Sequence, residues 1–129
     1  MTFFFQQPYP PDIRQVAGGQ LNREAGNPRV TTENGIQAGG TTLPLARPIR
    51  AVFNVVETAL ANNAVALPVG SPGAFYFVWN ASANTIRVFV QLGELIDGGL
   101  TEVTLTSGSS AMYACVAPRL WRSFAGTTV

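Results

Sequence analysis

The sequence predicts an all-β fold, namely a small β-sandwich or barrel-like module preceded by an extended N-terminal arm. The later part of the chain contains short runs of valine, isoleucine and aromatic residues separated by turn residues at nearly even intervals, which is typical of strands. Residues 1–48 contain six of the nine prolines and six of the thirteen glycines, which are rare inside helices and strands. With 129 residues, the chain has room for a single core.

The first part of the chain, residues 1–48, is the predicted arm. Its apolar residues are isolated from one another except in one N-terminal aromatic block, so the arm cannot bury enough surface alone to offset its backbone entropy. The block either folds back onto its own β module or docks on another chain, and the long proline-rich stretch that follows favours another chain. The residues expected to make these contacts are Phe3, Phe4, Phe5, Tyr9, Ile13, Arg14, Arg23 and Arg29.

The second part, residues 49–129, is the predicted β module with a short C-terminal tail. We predict strands over residues 49–56, 63–67, 74–80, 85–91, 101–106 and 110–117. The first of these also matches the apolar stripe of an amphipathic helix over residues 52–61. Three valines, a phenylalanine and the absence of a capping residue before Val52 favour the strand.

Two of the predicted strands differ in their apolar pattern. Residues 85–91 alternate, so Ile86, Val88 and Val90 are expected to face the core. Residues 74–79 are apolar on both faces, so a second sheet, the arm or a neighbouring subunit should cover each side. We therefore predict a subunit interface, formed by Phe75, Phe77 and Trp79.

The composition disfavours most classes of enzyme. The chain has no histidine and no lysine, which removes the usual general base, a common metal ligand and the Schiff-base amine. The two closest carboxylates, Glu94 and Asp97, are expected on a solvated turn rather than in a catalytic pair. We predict that the protein is not an enzyme, with no catalytic residues, no metal, no cofactor and no small-molecule substrate.

Other features of the sequence exclude further classes of partner. Eight arginines balance seven acidic residues without clustering, so no nucleic-acid partner is expected. No apolar run is long enough for a membrane span, and no secretory signal is recognised.

Cys115 is the single cysteine and is expected in the core. The triplet Asn80-Ala81-Ser82 is expected to be an ordinary loop rather than a glycosylation site, and Trp79 and Trp121 are expected in a core or an interface rather than in a ligand platform.

Several short motifs together resemble a module common in virion proteins of tailed bacteriophages. Taken one by one, they are turns and short apolar runs, and their order and spacing carry the resemblance over about two thirds of the chain. One departure is Gln91-Leu92, since such modules have a proline soon after the fourth strand. The matching segments are residues 35–42, 65–68, 86–89, 96–98, 103–105 and 108–111, together with Gly73, Trp79-Asn80, Gly93 and Trp121.

The resemblance implies a capsid decoration, or cement, protein. Such a protein would bind the outer capsid surface as a trimer, contact the major capsid protein through its arm and stabilise the shell. It would assemble in the host cytoplasm and be located on the capsid surface of the virion. The alternative is a fibre or neck component whose β module binds a receptor or a glycan. A third possibility, an enzyme acting on cell-wall material, would depend on Glu94 and Asp97.

Overall fold

Ten short strands and one turn of 3-10 helix form the fold in the computed structural model, which describes residues 30–125. The described residues contain no α-helix, and the predicted all-β class is confirmed. The elements in chain order are β1 (Thr32–Gln37), the 3-10 helix (Leu43–Leu45), β2 (Arg47–Pro48), β3 (Phe53–Thr58), β4 (Ala64–Ala66), β5 (Phe75–Asn80), β6 (Ile86–Phe89), β7 (Leu95–Ile96), β8 (Glu102–Leu105), β9 (Ser110–Ala117) and β10 (Leu120–Ala125).

The chain coils between two sheets. Strands β1, β3 and β5 pair in parallel in one sheet, and β2, β4 and β6 pair in parallel in the other. Strands β9 and β8 then pair antiparallel with β5 and β6, and β10 lies between β9 and β7. The six-stranded sheet has the order β1-β3-β5-β9-β10-β7, and the four-stranded sheet has the order β2-β4-β6-β8.

This solenoid-like arrangement corrects the expected sandwich or barrel. Consecutive strands of a hairpin lie in the same sheet, whereas here each turn between β1 and β6 carries the chain across to the opposite sheet. Parallel neighbours require such a crossover. Both a sandwich of hairpins and a solenoid-like path produce short strands at even spacing in the sequence. The sequence pattern therefore does not distinguish the two.

The fold begins earlier in the chain than residue 49. Residues 32–48, which the sequence analysis placed in the arm, supply β1 and β2, and these strands pair with β3 and β4. A salt bridge of 2.5 Å between Arg47 and Glu33 connects the two early strands. Because β1 is polar and contains Gly35 at a positive φ of 69°, its sequence is typical of a loop. Residues 1–29, and with them the predicted anchors Phe3 to Arg29, lie outside the described residues.

The six strands predicted in the module are all present. The first begins at Phe53, four residues later than predicted, and the bounds of the other five differ by at most two residues. The segment with two interpretations is a strand, Phe53–Thr58, as favoured. Three of the strands that the sequence analysis did not predict, β1, β2 and β7, are polar or only two residues long. The fourth, β10, follows a tight turn in which Arg119 has a positive φ of 61°.

The core lies between the two sheets. Ile86, Val88 and Val90 face it and are almost completely buried, as predicted, and so is Cys115. Trp121 is the largest fully buried side chain and is part of the same cluster. On the outer side of the four-stranded sheet, a smaller cluster of alanines packs against Leu43 and Phe89.

Asparagine side chains support the turns along one side of the coil. Asn63 Nδ2 donates a hydrogen bond to the carbonyl of Gly39, and Asn84 Nδ2 donates to that of Ala59 at 2.8 Å. Asn80 is fully buried and donates to the carbonyls of Asn84 and Leu105 at 2.8 and 2.9 Å. The amide of Asn80, the first residue of the triplet expected to be an ordinary loop, therefore has a structural role in this turn.

Candidate interaction surface

The outer face of the six-stranded sheet carries a broad apolar surface on strands β3, β5, β9 and β10. In each strand the residues alternate, so that one set is buried in the core and the other set points away from the four-stranded sheet. We call this surface the aromatic face. Its outward residues are Phe53, Val55, Phe75, Phe77, Trp79, Met112, Ala114, Val116 and Phe124.

Four of these residues lie level with one another across the sheet. The strand registers pair Phe53 with Phe77, Phe77 with Met112, and Met112 with Phe124. We call this set the aromatic row. The rings of Phe53 and Phe77 stack with centroids 4.6 Å apart, and Phe75 meets Phe77 edge to face at 5.9 Å. Stacked and edge-to-face arrangements at these distances are favourable for aromatic rings.

Five of the nine residues of the aromatic face are about half exposed, and the other four are partly buried. The opposite side of the same strands packs on the four-stranded sheet, so the second sheet does not cover the outer side of Phe75, Phe77 and Trp79. The structure therefore places the three residues of the predicted subunit interface together on one exposed face. The exposed fractions of the most exposed members are 43% for Phe53, 45% for Phe75, 50% for Trp79, 51% for Val116 and 50% for Phe124.

A shallow groove of about 620 Å³ lies on the aromatic face. Gly73 and Ala114 are the smallest of the residues that line it. Phe75, Phe77 and Met112 form its walls, and the lining is almost entirely apolar. The groove can therefore receive an apolar side chain but offers few hydrogen bonds to a polar ligand.

Among residues 53–125, two ionisable side chains lie on the outer side of the strands that form the aromatic face, one at the end of the face and one in the row of Phe75 and Ala114. Glu57 extends β3 beyond Val55 on the same side and is exposed. Arg122 lies beside Ala114 on β10, one residue row from the other end, and its Nε is 3.9 Å from Asp97 Oδ1. The centre of the face therefore carries no charge that would oppose contact with another apolar surface.

The turn expected to be solvated is instead partly buried, which corrects the interpretation of Glu94. Only 5% of Glu94 is exposed. Its Oε1 accepts a hydrogen bond of 2.8 Å from Trp121 Nε1, and its Oε2 accepts one of 2.9 Å from the Gly70 backbone. Asp97 is bound separately, accepting hydrogen bonds from Ser123 N and Oγ. The two carboxylates thus have different partners. Both oxygens of each carboxylate accept hydrogen bonds that connect separate parts of the fold.

The pKa of one ionisable group in the core, the phenol of Tyr113, is far above its ordinary value. Burial raises the pKa of the Tyr113 phenol, and the negative charge of Asp97 raises it further. Tyr113 is almost completely buried below the aromatic face. Because its ring packs in the core cluster, this perturbation is a property of the fold rather than of an accessible site.

Residues 30–125 contain no group of three histidine, cysteine, aspartate or glutamate side chains that could hold a metal ion. No helix within this range is long and apolar enough to cross a membrane.

The sequence pattern indicated Phe75, Phe77 and Trp79 but not the rest of the aromatic row. The registers place Phe53 and Met112 beside Phe77, and they place Phe124 beside Met112. Alternation in residues 53–57 and 110–116 could have indicated the outward positions, but only the pairing of the strands places them side by side. Comparisons with protein-family models, curated proteins and solved structures found no match to this chain.

Proposed function

We propose that this protein decorates the outer surface of a bacteriophage capsid as a homotrimer. Its N-terminal arm binds the major capsid protein and so stabilises the shell. The observation that carries the proposal is the aromatic face, because a contiguous apolar surface of this kind marks a site of protein contact. The resemblance of the sequence to virion modules of tailed phages supports the choice of a capsid as the assembly.

The proposed mechanism divides the work between the two parts of the chain. The β module holds three copies together, and each copy contributes one arm with aromatic and arginine anchors. Weak contacts of the three arms then act together, because binding of one arm raises the effective concentration of the others at the shell. Stabilisation follows because each trimer would connect neighbouring capsid subunits.

The arm is tested by deleting residues 2–30 and measuring co-sedimentation with empty shells assembled from the major capsid protein of the same virus. The full chain is expected to sediment with the shells, and the shortened chain is expected to stay in the supernatant while keeping its β-type circular dichroism spectrum. Replacing Arg14, Arg23 and Arg29 together by alanine should weaken binding and reduce its dependence on salt. Unchanged binding of the shortened chain would refute the role of the arm.

A second candidate function is attachment to a receptor or glycan as a fibre or neck component. Trp79 favours it, since a half-exposed indole beside other aromatic rings is a surface on which sugars stack. Trp121 is buried, so a change in tryptophan fluorescence on adding sugars would report on Trp79. The Trp79→Phe variant is the control. A saturable change in the wild type that is absent from the variant would favour this candidate over capsid decoration.

A further inference from the structure

We propose that Asn34 deamidates spontaneously in the folded protein, and that the isoaspartate it forms loosens strand β1. The modification is separate from the proposed function, since it requires only water and the chain itself. The pair Asn34-Gly35 is the single place in the sequence where a glycine directly follows an asparagine. Its exposure, its place in a bulge and the buried residue that follows it support the proposal.

The reaction joins the backbone nitrogen of Gly35 to the side chain of Asn34. The nitrogen bonds to Cγ, the bond between Cγ and Nδ2 breaks, and the proton of the nitrogen leaves with Nδ2 as ammonia. The product is a five-membered succinimide ring, and asparagine is one of the thermolabile residues of proteins. Water then opens the ring. Breaking the bond between the nitrogen and Cγ gives aspartate, whereas breaking the bond between the nitrogen and the main-chain carbonyl carbon gives isoaspartate.

The attacking nitrogen and the side chain that it attacks are both accessible. Asn34 and Gly35 are exposed, and β1 is an edge strand of the six-stranded sheet. A Cβ added at Gly35 would have nothing within 4 Å, so no neighbouring group crowds this position. Because glycine itself has no Cβ, its nitrogen can approach the preceding side chain with little steric hindrance.

The pair lies in a β-bulge. The register passes from Glu33 opposite Asn54 to Ile36 opposite Val56, so the two residues between them on β1 stand opposite a single residue of β3. An extra residue of this kind is left unpaired and disrupts the ladder locally. Gly35 also has a positive φ of 69°, which lies outside the strand region. The regular ladder therefore does not fix the backbone where the ring must form.

The other asparagines of residues 30–125 are less suited to this reaction. Asn54 and Asn80 are buried. Asn63 and Asn84 donate hydrogen bonds from Nδ2 to backbone carbonyls, which must break before Cγ can react. Asn62 is exposed, but the residue that follows it has a side chain, whose Cβ crowds the attacking nitrogen. We expect Asn62 to react about tenfold more slowly than the asparagine of β1, a difference of about 1.4 kcal/mol in the barrier.

The isoaspartate product disturbs the core, because its main chain runs through Cβ and Cγ and is one atom longer. Ile36 follows two residues later, is 1% exposed and belongs to the central cluster. A longer backbone before Ile36 shifts it relative to Val56, its partner on β3. The aspartate product keeps an ordinary backbone and adds one charge at an exposed position, so it should leave β1 in place.

The first measurement follows the modification itself. The folded full chain is incubated in mildly alkaline buffer, and its peptides are analysed by mass spectrometry, in which each deamidation adds about 1 Da. Asn34 should be modified about tenfold faster than Asn62, which is the matched comparison for exposure. A protease that cleaves before aspartate but not before isoaspartate gives the proportion of the two products. An intact Asn34, or equal rates at the two positions, would overturn the proposal.

The second measurement separates the effect of the backbone from that of the charge. The deamidated fraction, isolated by anion exchange, should unfold at a lower urea concentration than Asn34→Asp, which has the same charge and an ordinary backbone. Asn34→Gln should pass through the same incubation unmodified, because its longer side chain would have to close a six-membered ring. Equal midpoints for Asn34→Asp and a fraction that contains isoaspartate would refute the loosening of β1.

Discussion

At the scale of single residues, Glu94 connects three parts of the chain that are distant in sequence. Its carboxylate accepts hydrogen bonds from the backbone after β4 and from the indole of Trp121 on β10. A buried polar group is tolerated only when it has such partners. Glu94, which the sequence analysis placed on a solvated turn, therefore holds the turn before β7 against the core. Asp97 is close to it in the chain but has a different hydrogen-bonding partner, Ser123.

Gly70 provides a direct test of how closely this network is packed. An added Cβ would lie 2.9 Å from Cys115 Sγ and 3.0 Å from Trp121 Nε1, so Gly70→Ala should lower the free energy of unfolding by about 1–3 kcal/mol. The measurement is urea unfolding followed by circular dichroism. Gly99→Ala is the matched control, because nothing lies within 4 Å of its added Cβ. Equal stability of the two variants would contradict the close packing around Gly70.

Tyr113 gives a prediction for alkaline solution. In the folded chain, burial and the charge of Asp97 raise the pKa of the Tyr113 phenol. In the unfolded chain the phenol has the usual tyrosine pKa of about 10. The contribution of the raised pKa to stability is therefore fully present below pH about 10 and is lost as the pH rises toward the folded-state value. This single group contributes a slope of up to about 1.4 kcal/mol per pH unit.

The measurement is the free energy of unfolding of the wild type, Tyr113→Phe and Tyr76→Phe between pH 8 and 11. Tyr113→Phe should lose stability less steeply above pH 10, because the replaced group no longer ionises on unfolding. Tyr76→Phe serves as the comparison for removing a partly buried hydroxyl from the same sheet. Identical slopes for the Tyr113→Phe variant and the wild type would show that the phenol is not responsible.

At the scale of elements, the sequence predicts those strands whose own residues have a high β-propensity. Runs such as 75–80 and 86–89 are rich in aromatic and β-branched residues, which fit a pleated surface wherever the strand is placed. Strand β1 is different, since Asn34 and Gly35 have weak β-propensity and the strand exists because β3 offers it hydrogen-bonding partners. The order of strands depends on pairings between residues that are distant in the chain, and the local sequence pattern does not predict these pairings.

The same reason limits what the sequence says about the aromatic face. Phe75, Phe77 and Trp79 could be selected because their strand is apolar on both faces, which called for a cover on each side. Phe53 and Phe124 are 71 positions apart in the chain; Phe53 is the single aromatic residue of β3, and Phe124 shares β10 with the buried Trp121. Only the registers that pass through Phe77 and Met112 bring them into one row. A surface composed of several strands is thus a property of topology.

The turn after β5 gives a prediction at this scale. Asn80 donates two hydrogen bonds from Nδ2, and its Oδ1 accepts hydrogen bonds from Ser82 N and Oγ at 3.1 and 2.6 Å. Asn80→Ala leaves these buried groups without partners and should cost about 2–4 kcal/mol in unfolding free energy. Asn34→Ala, at an exposed position of β1, is the control and should change stability by less than about 0.5 kcal/mol. A small effect at Asn80 would mean that the turn forms without this side chain.

At the scale of the whole molecule, two expectations about unfolding compete. A coil of parallel strands resembles a repeat protein, in which terminal turns open separately because each turn contacts only its neighbours. The core argues against this, because one buried cluster includes Ile36 of β1, Val88 of β6 and Trp121 of β10. With only three turns of coil and one shared cluster, opening either end exposes side chains that the rest requires. We therefore expect residues 30–125 to unfold as one cooperative unit.

The Trp79→Phe variant tests this expectation, because it leaves buried Trp121 as the single tryptophan. Its fluorescence and the far-ultraviolet circular dichroism should give the same midpoint in urea, since the core around β10 and the strands of both sheets are lost together. If the chain associates, the midpoint rises with protein concentration, but both signals should shift equally because association stabilises the whole folded unit. Loss of strand signal before the fluorescence changes would mean that the β1 end opens alone, and the repeat-like description would then be the correct one.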